Sequence, residues 1–335
     1  MLAVTMGALA PRALQAQEVV DFASAGDGVA LDAVLTLPET DGPVPAVVLL
    51  SIAGTAPLVE RLVAEGFAVF APERRGFVDV EPLLRATYEL LAQDVLGALR
   101  YLSRHPRIDA GSLAVVAQAD DAPPATLAML GPDGGVPLVM LAPPAFPGDE
   151  EFRREQRAAA QRERWPASEI EALDAYLDRI VEIALSGNPP YVREYQLNNV
   201  RAVSPVQLPR NAAFPADEDQ MHFFASPLWH DRLAFDPAEA IATLDAPTLV
   251  LIGSDDADTR TDEYVEAMRG YLAAAPSTEA TVRILPGRTR HTFSEAGVDA
   301  ITGWLRARIG AAPGGGPTEP RPDLNRPGRD PAASC

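Results

Sequence analysis

Short apolar runs punctuate the chain at residues 46–52, 67–71, 113–117, 138–141, 248–252 and 281–285, alternating with helical patterns. Their length and unbroken apolar character fit strands buried on both faces, the pattern of a parallel sheet with helices on either side. Between the second and third runs, Leu90, Leu91, Val95, Ala98, Leu99 and Leu102 recur at helical spacing while Gln93, Asp94 and Arg100 face away, which predicts a crossover helix. Ahead of these, residues 19–22 and 29–37 flank Gly26, Asp27 and Gly28 and predict an antiparallel hairpin on the sheet edge.

The alternation breaks between about residues 149 and 231. Ser168 and Glu171 predict a capping box for a helix running through Leu185, followed by a loop rich in Pro, Asn and aromatic residues. Placed after a sheet strand, this insertion is expected to lie over the carboxyl ends of the strands as a helical lid, with Trp165, Tyr176, Tyr191, Tyr195, Phe223, Phe224 and Trp229 forming its core and part of any crevice wall. Asp236, Pro237 and Glu239 supply a cap, a first-turn proline and an acid at the third position, and so restart a helix.

With 335 residues, of which 47% are hydrophobic, the chain has enough apolar material for a sizeable core. One domain is expected over 18–310. Acids outnumber bases 47 to 28 and every base is Arg, so the net charge of -19 argues against nucleic acid and anionic membrane surfaces, and a lysine mechanism is excluded. The single Cys is Cys335, which leaves no internal disulfide, thiolate metal site or cysteine nucleophile. Residues 1–17 contain an apolar run too short to span a membrane, with a small residue before Gln17; they read as a signal segment for periplasmic or secreted export, or as a plain terminus of a cytoplasmic protein. Residues 311–335 hold six Pro and four Gly and read as a disordered tail.

In an open α/β sheet, the residues that follow each strand converge on one crevice. After the first parallel strand come Ala53, Gly54 and Thr55, a turn whose N–H groups suit an oxyanion; after residues 113–117 come Gln118, Ala119, Asp120 and Asp121. Residues 248–252 lead into Gly253, Ser254, Asp255 and Asp256, and residues 281–285 lead through Pro286 and Gly287 to His291. An elbow, then an acid, then a histidine is the chain order of a hydrolase triad.

The segments SIAGTAP, ERRG, APPAFPGDE, SPLWHDRLAFDPAEAI, PTLVLIGSDD and LPGRTRH, in that order, resemble the bacterial esterase-like α/β-hydrolases, relatives of the dienelactone hydrolase and acyl-thioesterase group. The resemblance covers nearly the whole domain. It implies an α/β-hydrolase fold, a mostly parallel sheet flanked by helices with an inserted helical lid, and it places Asp256 at the triad acid and His291 at the triad base. Where that family carries Gly-x-Ser-x-Gly, this chain has Ala117, Gln118, Ala119, Asp120 and Asp121, so Ala119 occupies the nucleophile position and Asp121 replaces a glycine. Pro123 and Pro124 are tolerated only in a first helical turn, which predicts a late helix start with Asp120 or Asp121 as its cap.

Two functions follow from these residues. In one, the protein has lost serine chemistry and binds a small apolar acyl or ester-like ligand, or a partner. In the other, it remains a carboxylic-ester or thioester hydrolase, with His291 and Asp256 activating water or with Asp120 as nucleophile. Asp255 and Asp258 compete with Asp256 as the loop acid, and His105, His222 and His230 are expected to pack or cap. No cofactor is expected, and no spaced ligand motif supports a metal at Asp120, Asp121, Asp256 and His291. Oligomeric state is not legible.

Overall fold

Side chains on alternate positions of the parallel strands enter two different cores. Ala46, Val48, Leu113, Val115, Leu138, Met140 and Val250 pack on one face of the sheet, and Val47, Leu49, Ala114, Val116, Val139, Leu249 and Leu251 on the other. This two-sided burial is why the strands read as unbroken apolar runs. The computed structural model describes residues 16–50, 54–76, 80–131, 134–203, 218–255, 261–277, 279–287 and 294–310. Of the expected signal segment over 1–17, residues 1–15 lie outside the described residues, as does the tail over 311–335, while Ala16 and Gln17 open the first strand.

In chain order the elements are β1 (Ala16–Ala23), β2 (Ala30–Leu37), β3 (Val44–Leu50), α1 (Ala56–Ala64), β4 (Ala68–Pro72), α2 (Glu81–Leu84), α3 (Tyr88–Arg104), β5 (Ile108–Gln118), α4 (Ala122–Leu130) and β6 (Leu138–Leu141). The helical insertion follows as α5 (Gly148–Arg162), α6 (Ala167–Ala184), α7 (Pro190–Val203), α8 (Glu218–Ala225) and α9 (Pro227–Ala234). The chain then completes the sheet with α10 (Pro237–Ala242), β7 (Thr248–Gly253), α11 (Thr261–Ala274), β8 (Ala280–Leu285) and α12 (Glu295–Ile309). The eight strands form one sheet in the order β1-β2-β4-β3-β5-β6-β7-β8. The β1–β2 hairpin and the β2–β4 pair are antiparallel, and the remaining pairs are parallel.

Helices α3 and α4 cover the first face and α1 and α12 the second. A threonine opens α3: Thr87 accepts a hydrogen bond from the Leu90 N–H, and the N–H of Tyr88 donates to the Asp231 carboxylate of α9 at 2.8 Å. Helix α3 lies so close to β1 that a Cβ at Gly97 would fall 2.4 Å from the Ala23 carbonyl oxygen.

The insertion has its own core of Phe152, Leu173, Leu177, Ile180, Leu197, Phe224 and Trp229. Phe152, Phe224 and Trp229 meet as an aromatic cluster, whereas Tyr191 and Tyr195 are 73% and 68% exposed and belong to no core. The expected capping box is absent. Pro166 opens α6 directly and its carbonyl accepts from Glu169 and Ile170, which places Ser168 inside the first turn with no capping bond. Asp236 does cap α10, accepting from the Ala238 N–H ahead of Pro237. Where the insertion leaves and rejoins the sheet domain, the Gly148 N–H donates to the Phe235 carbonyl at 2.8 Å. A Cβ on Gly148 would sit 1.8 Å from the Arg232 oxygen.

Gly97→Ala tests the α3–β1 approach. In an open helix that change stabilises by about 1 kcal/mol, but here backbone must move, so a loss of about 1–3 kcal/mol is expected in urea unfolding. A gain in stability would show that α3 stands clear of β1.

Candidate functional site

Strand β5 runs to Gln118, and the next residue, Ala119, has φ 50. A non-glycine residue in this left-handed region is strained, at a cost of roughly 1–2 kcal/mol. One turn of 3-10 helix, Ala119–Asp121, then leads into α4. Pro123 and Pro124 fall in the first turn of α4, where no N–H has an intrahelical partner to lose. The strand–turn–helix therefore has the sharp bend that lifts one side chain above the sheet edge. At its apex stands a methyl group.

The two aspartates that follow do not cap the helix. Asp121 occupies the cap position of α4, but its side chain makes no capping bond and instead forms an ion pair with Arg74, from the segment after β4. Asp120 points to the insertion and pairs with Arg232 of α9 at 3.1 Å. Arg232 also lies 3.7 Å from Glu155 of α5 and stacks on Trp229. Ion pairing displaces capping here because two guanidinium groups from distant segments offer stronger, charge-assisted partners than a backbone N–H. Burial pushes the Asp121 carboxyl above the usual carboxylate range; Arg74 pulls it back, and the neighbouring Asp120 charge adds to the rise.

Arg75, next to Arg74, is only 6% exposed and fully engaged: Asp94 of α3 takes Nε and Nη2, and Asp27 of the β1–β2 turn takes Nη1 and Nη2. This cluster ties the hairpin, β4 and α3 together. Hydrogen bonds from Arg75 hold the Asp27 carboxyl below its ordinary range. Tyr88 at the start of α3 is buried, packs edge-on against Phe235, and lies within electrostatic reach of Asp120, Arg232 and Arg74; burial pushes its phenol well above the usual range.

On the other side of the elbow, Gly54 has φ 71, a left-handed conformation open to glycine, and Thr55 precedes α1 without a capping bond. Ala53 lies outside the described residues. So do Asp256, Asp258 and His291. The segments that precede the last two strand-end residues are joined: the Asp255 N–H donates to the Gly287 carbonyl at 3.0 Å, the Ser254 N–H to the Leu285 carbonyl at 2.8 Å, and the Gly287 N–H to Ser254 Oγ at 3.2 Å. Asp255 itself accepts from Ser254 Oγ.

Of the other histidines, His105 ends α3 and its Nδ1 accepts from the Arg107 N–H. His230 adjoins Asp231, while His222 bridges Glu194 of α7 and Glu81 of α2, a pairing that no local pattern announced; hydrogen bonding to Glu194 raises its pKa. Among the described residues, no group of three or more His, Cys, Asp or Glu side chains is arranged to hold a metal ion, and no helix is long and apolar enough to cross a membrane.

A cavity of about 410 Å³ opens beside the elbow. It is walled by Phe22, Leu31, Leu50, Leu83, Leu91 and Val95, with Pro124 and the Arg74–Asp121 pair at its elbow side. Sequence reasoning missed Arg74, Tyr88 and Arg232 as parts of this region. The only signal was that Arg74 lies within the ERRG segment, at the carboxyl end of a sheet strand.

No protein-family model matches the chain, and no curated protein matches it. Solved structures do match. The α/β hydrolase GrgF of Penicillium aligns with a TM-score of 0.56 and 12% identity, covering 88% of this chain and 99% of its own. A Pyrococcus furiosus esterase aligns with a TM-score of 0.54 and 14% identity over 92% of this chain and 96% of its own. A malate-bound thermophilic esterase of Thermogutta terrifontis aligns at 0.52 and 19% identity over 87% and 99%. These likenesses establish the fold.

Ala119→Gly tests the strained apex. Glycine relieves the left-handed strain but gives the unfolded chain more freedom, worth about 0.4–1 kcal/mol. The expected result is unchanged or higher stability, by up to about 1 kcal/mol, in urea unfolding. A loss above that would mean that the bend lies elsewhere.

Proposed function

We propose that this α/β-hydrolase fold, of the esterase-like dienelactone hydrolase and acyl-thioesterase kind, does not perform serine hydrolysis and binds a small apolar acyl or ester-like ligand in the cavity beside its elbow, with the helical insertion as a lid over the strand ends. The observation that carries the reading is Ala119. It stands at the apex of a bend with φ 50, in the place and backbone conformation of a nucleophile, and it has no atom able to attack a carbonyl. The apolar cavity beside it supplies room for a ligand. Asp256 and His291 keep the types of a triad acid and base by resemblance, without a nucleophile between them.

Asp120 is a poor substitute nucleophile. It lies one residue past the apex, and its carboxylate forms an ion pair with Arg232. Loss of a triad member leaves about a thousandth or less of the activity, so hydrolysis by water activated at His291 and Asp256 would need a separate compensation.

A fluorophosphonate probe should leave the wild-type chain unlabelled, while a screen of esters, thioesters and lactones should give no turnover above buffer. Stoichiometric labelling of any serine, or turnover abolished by His291→Ala, overturns the reading.

Ala119→Ser alone should restore little p-nitrophenyl acetate hydrolysis. The obstacle is electrostatic: a tetrahedral oxyanion would form beside the carboxylates of Asp120 and Asp121, and a lost oxyanion donor alone costs about 3 kcal/mol of barrier. Adding Asp121→Gly should raise the rate above that of the single variant. Burst kinetics and ordinary esterase turnover in Ala119→Ser alone would mean that only one oxygen atom had been lost.

A further inference from the structure

The cavity beside the elbow has apolar walls and one polar corner. Its size, about 410 Å³, lies near the lower end for ligand pockets and suits a small molecule. Of the cations that line it, Arg75 is buried and saturated by Asp27 and Asp94. Arg74 differs. Its guanidinium is 30% exposed and gives one donor to Asp121 Oδ1, its one ion-pair partner among the described residues. A guanidinium carries five N–H donors in a fixed fork that matches a carboxylate, so Arg74 has spare donors facing a small, apolar space.

Asp121 is the peculiar member of the pair. It stands where the related hydrolases carry a glycine, and only 17% of its side chain is exposed. Among the described residues, the charged groups that act on it are Arg74 from the segment after β4 and Asp120 on its own turn, with Arg232 of α9 paired to Asp120, and the Tyr88 phenol of α3 lies within reach of Asp120 and Arg74. Glu73, which is exposed, and the Arg75–Asp94 pair line the rest of the cavity.

We propose that the cavity takes a small organic monocarboxylate, whose carboxylate forks onto Arg74 and accepts a hydrogen bond from protonated Asp121 while its apolar part lies on Leu50, Leu83, Leu91 and Val95. This names the ligand class for the binding function above and rests on that reading. The proton is required by charge. Two carboxylates sharing one guanidinium in a half-buried corner repel each other unless one is neutral, and a neutral Asp121 becomes a donor to its rival. Burial favours the neutral form of Asp121, in the same direction as the incoming carboxylate, while Arg74 opposes it. Ligand binding and uptake of one proton are therefore a single event. A primary amine is repelled by Arg74, and a neutral amide or alcohol offers the guanidinium no charge in exchange for that of Asp121.

Titration calorimetry on the full chain, with hexanoate and benzoate as probes and hexanamide and hexylamine as controls, tests this. The acids should bind and the controls should not. Hexanoate stays ionised above about pH 5. Its affinity should fall by about tenfold per pH unit as pH rises above the Asp121 pKa, and buffers of different ionisation enthalpy should reveal uptake of one proton. Asp121→Asn keeps a neutral donor in place and should bind hexanoate more tightly than the wild type at pH about 8, without the pH dependence. The double variant Arg74→Gln/Asp121→Asn removes both charges, leaves no orphan, and should keep the wild-type melting temperature while losing at least about tenfold in hexanoate affinity.

Equal binding of hexanamide, preference for hexylamine, or undiminished affinity in the double variant would overturn the proposal, as would an Asp121→Asn protein that keeps the wild-type pH profile. Binding of neutral esters without acids would overturn it while leaving the binding reading intact. Turnover of p-nitrophenyl hexanoate would instead overturn the reading on which it rests, and calorimetry with hexanoate would still report on the corner itself.

Discussion

A strand with parallel neighbours on both sides, covered by helices above and below, has no solvent face on which to place a polar side chain. The chain can put chemistry only past the ends of such strands. Residues of β3, β5, β6 and β7 obey this, sending successive apolar side chains into alternate cores. Arg74 and Arg75 follow the last residue of β4, and Asp120 and Asp121 follow the last residue of β5. The strained backbone of Ala119 belongs to the same constraint: the chain must turn at once from a buried strand into a buried helix, and α4 is buried along nearly its whole length.

That constraint also explains what was legible in the sequence. Two-sided burial writes itself as uninterrupted apolar runs, and residues 138–141 were bounded to the residue as β6. Strand β5 extends further back than its apolar run, to Ile108, because its first part reaches past the covered centre of the sheet and carries polar residues. The resemblance singled out Ala119, and the structure shows that residue in a left-handed bend directly after β5. The ion pairs did not, since Arg74 and Asp121 are 47 positions apart and Arg232 and Asp120 are 112 apart. Local grammar assigns an aspartate before a helix to capping, and only the folded chain brings the competing guanidinium groups. Pro166 defeated the same grammar at α6 by opening the helix ahead of Ser168.

The electrostatics of the elbow run against the chain as a whole. A protein of net charge -19 gathers Arg74, Arg75 and Arg232 around one strand end and balances them with aspartates drawn from the hairpin, α3 and the elbow itself. Arg232 lies across the boundary between insertion and sheet domain, paired to Asp120 and stacked on Trp229, so the insertion's aromatic core and the elbow share one side chain. His222 makes a second link, to Glu81 of α2.

The hydrogen bond between Gly148 and Phe235 closes the base of the insertion, and the absent side chain of Gly148 lets the two strands of backbone meet. The sheet domain thus experiences everything between them as a loop whose ends are already joined. Closing a longer or shorter loop changes the entropy only slowly with length. The segment is in that sense a cassette: sequences of different length and shape can be spliced between those two residues while the sheet domain keeps its own folding problem unchanged.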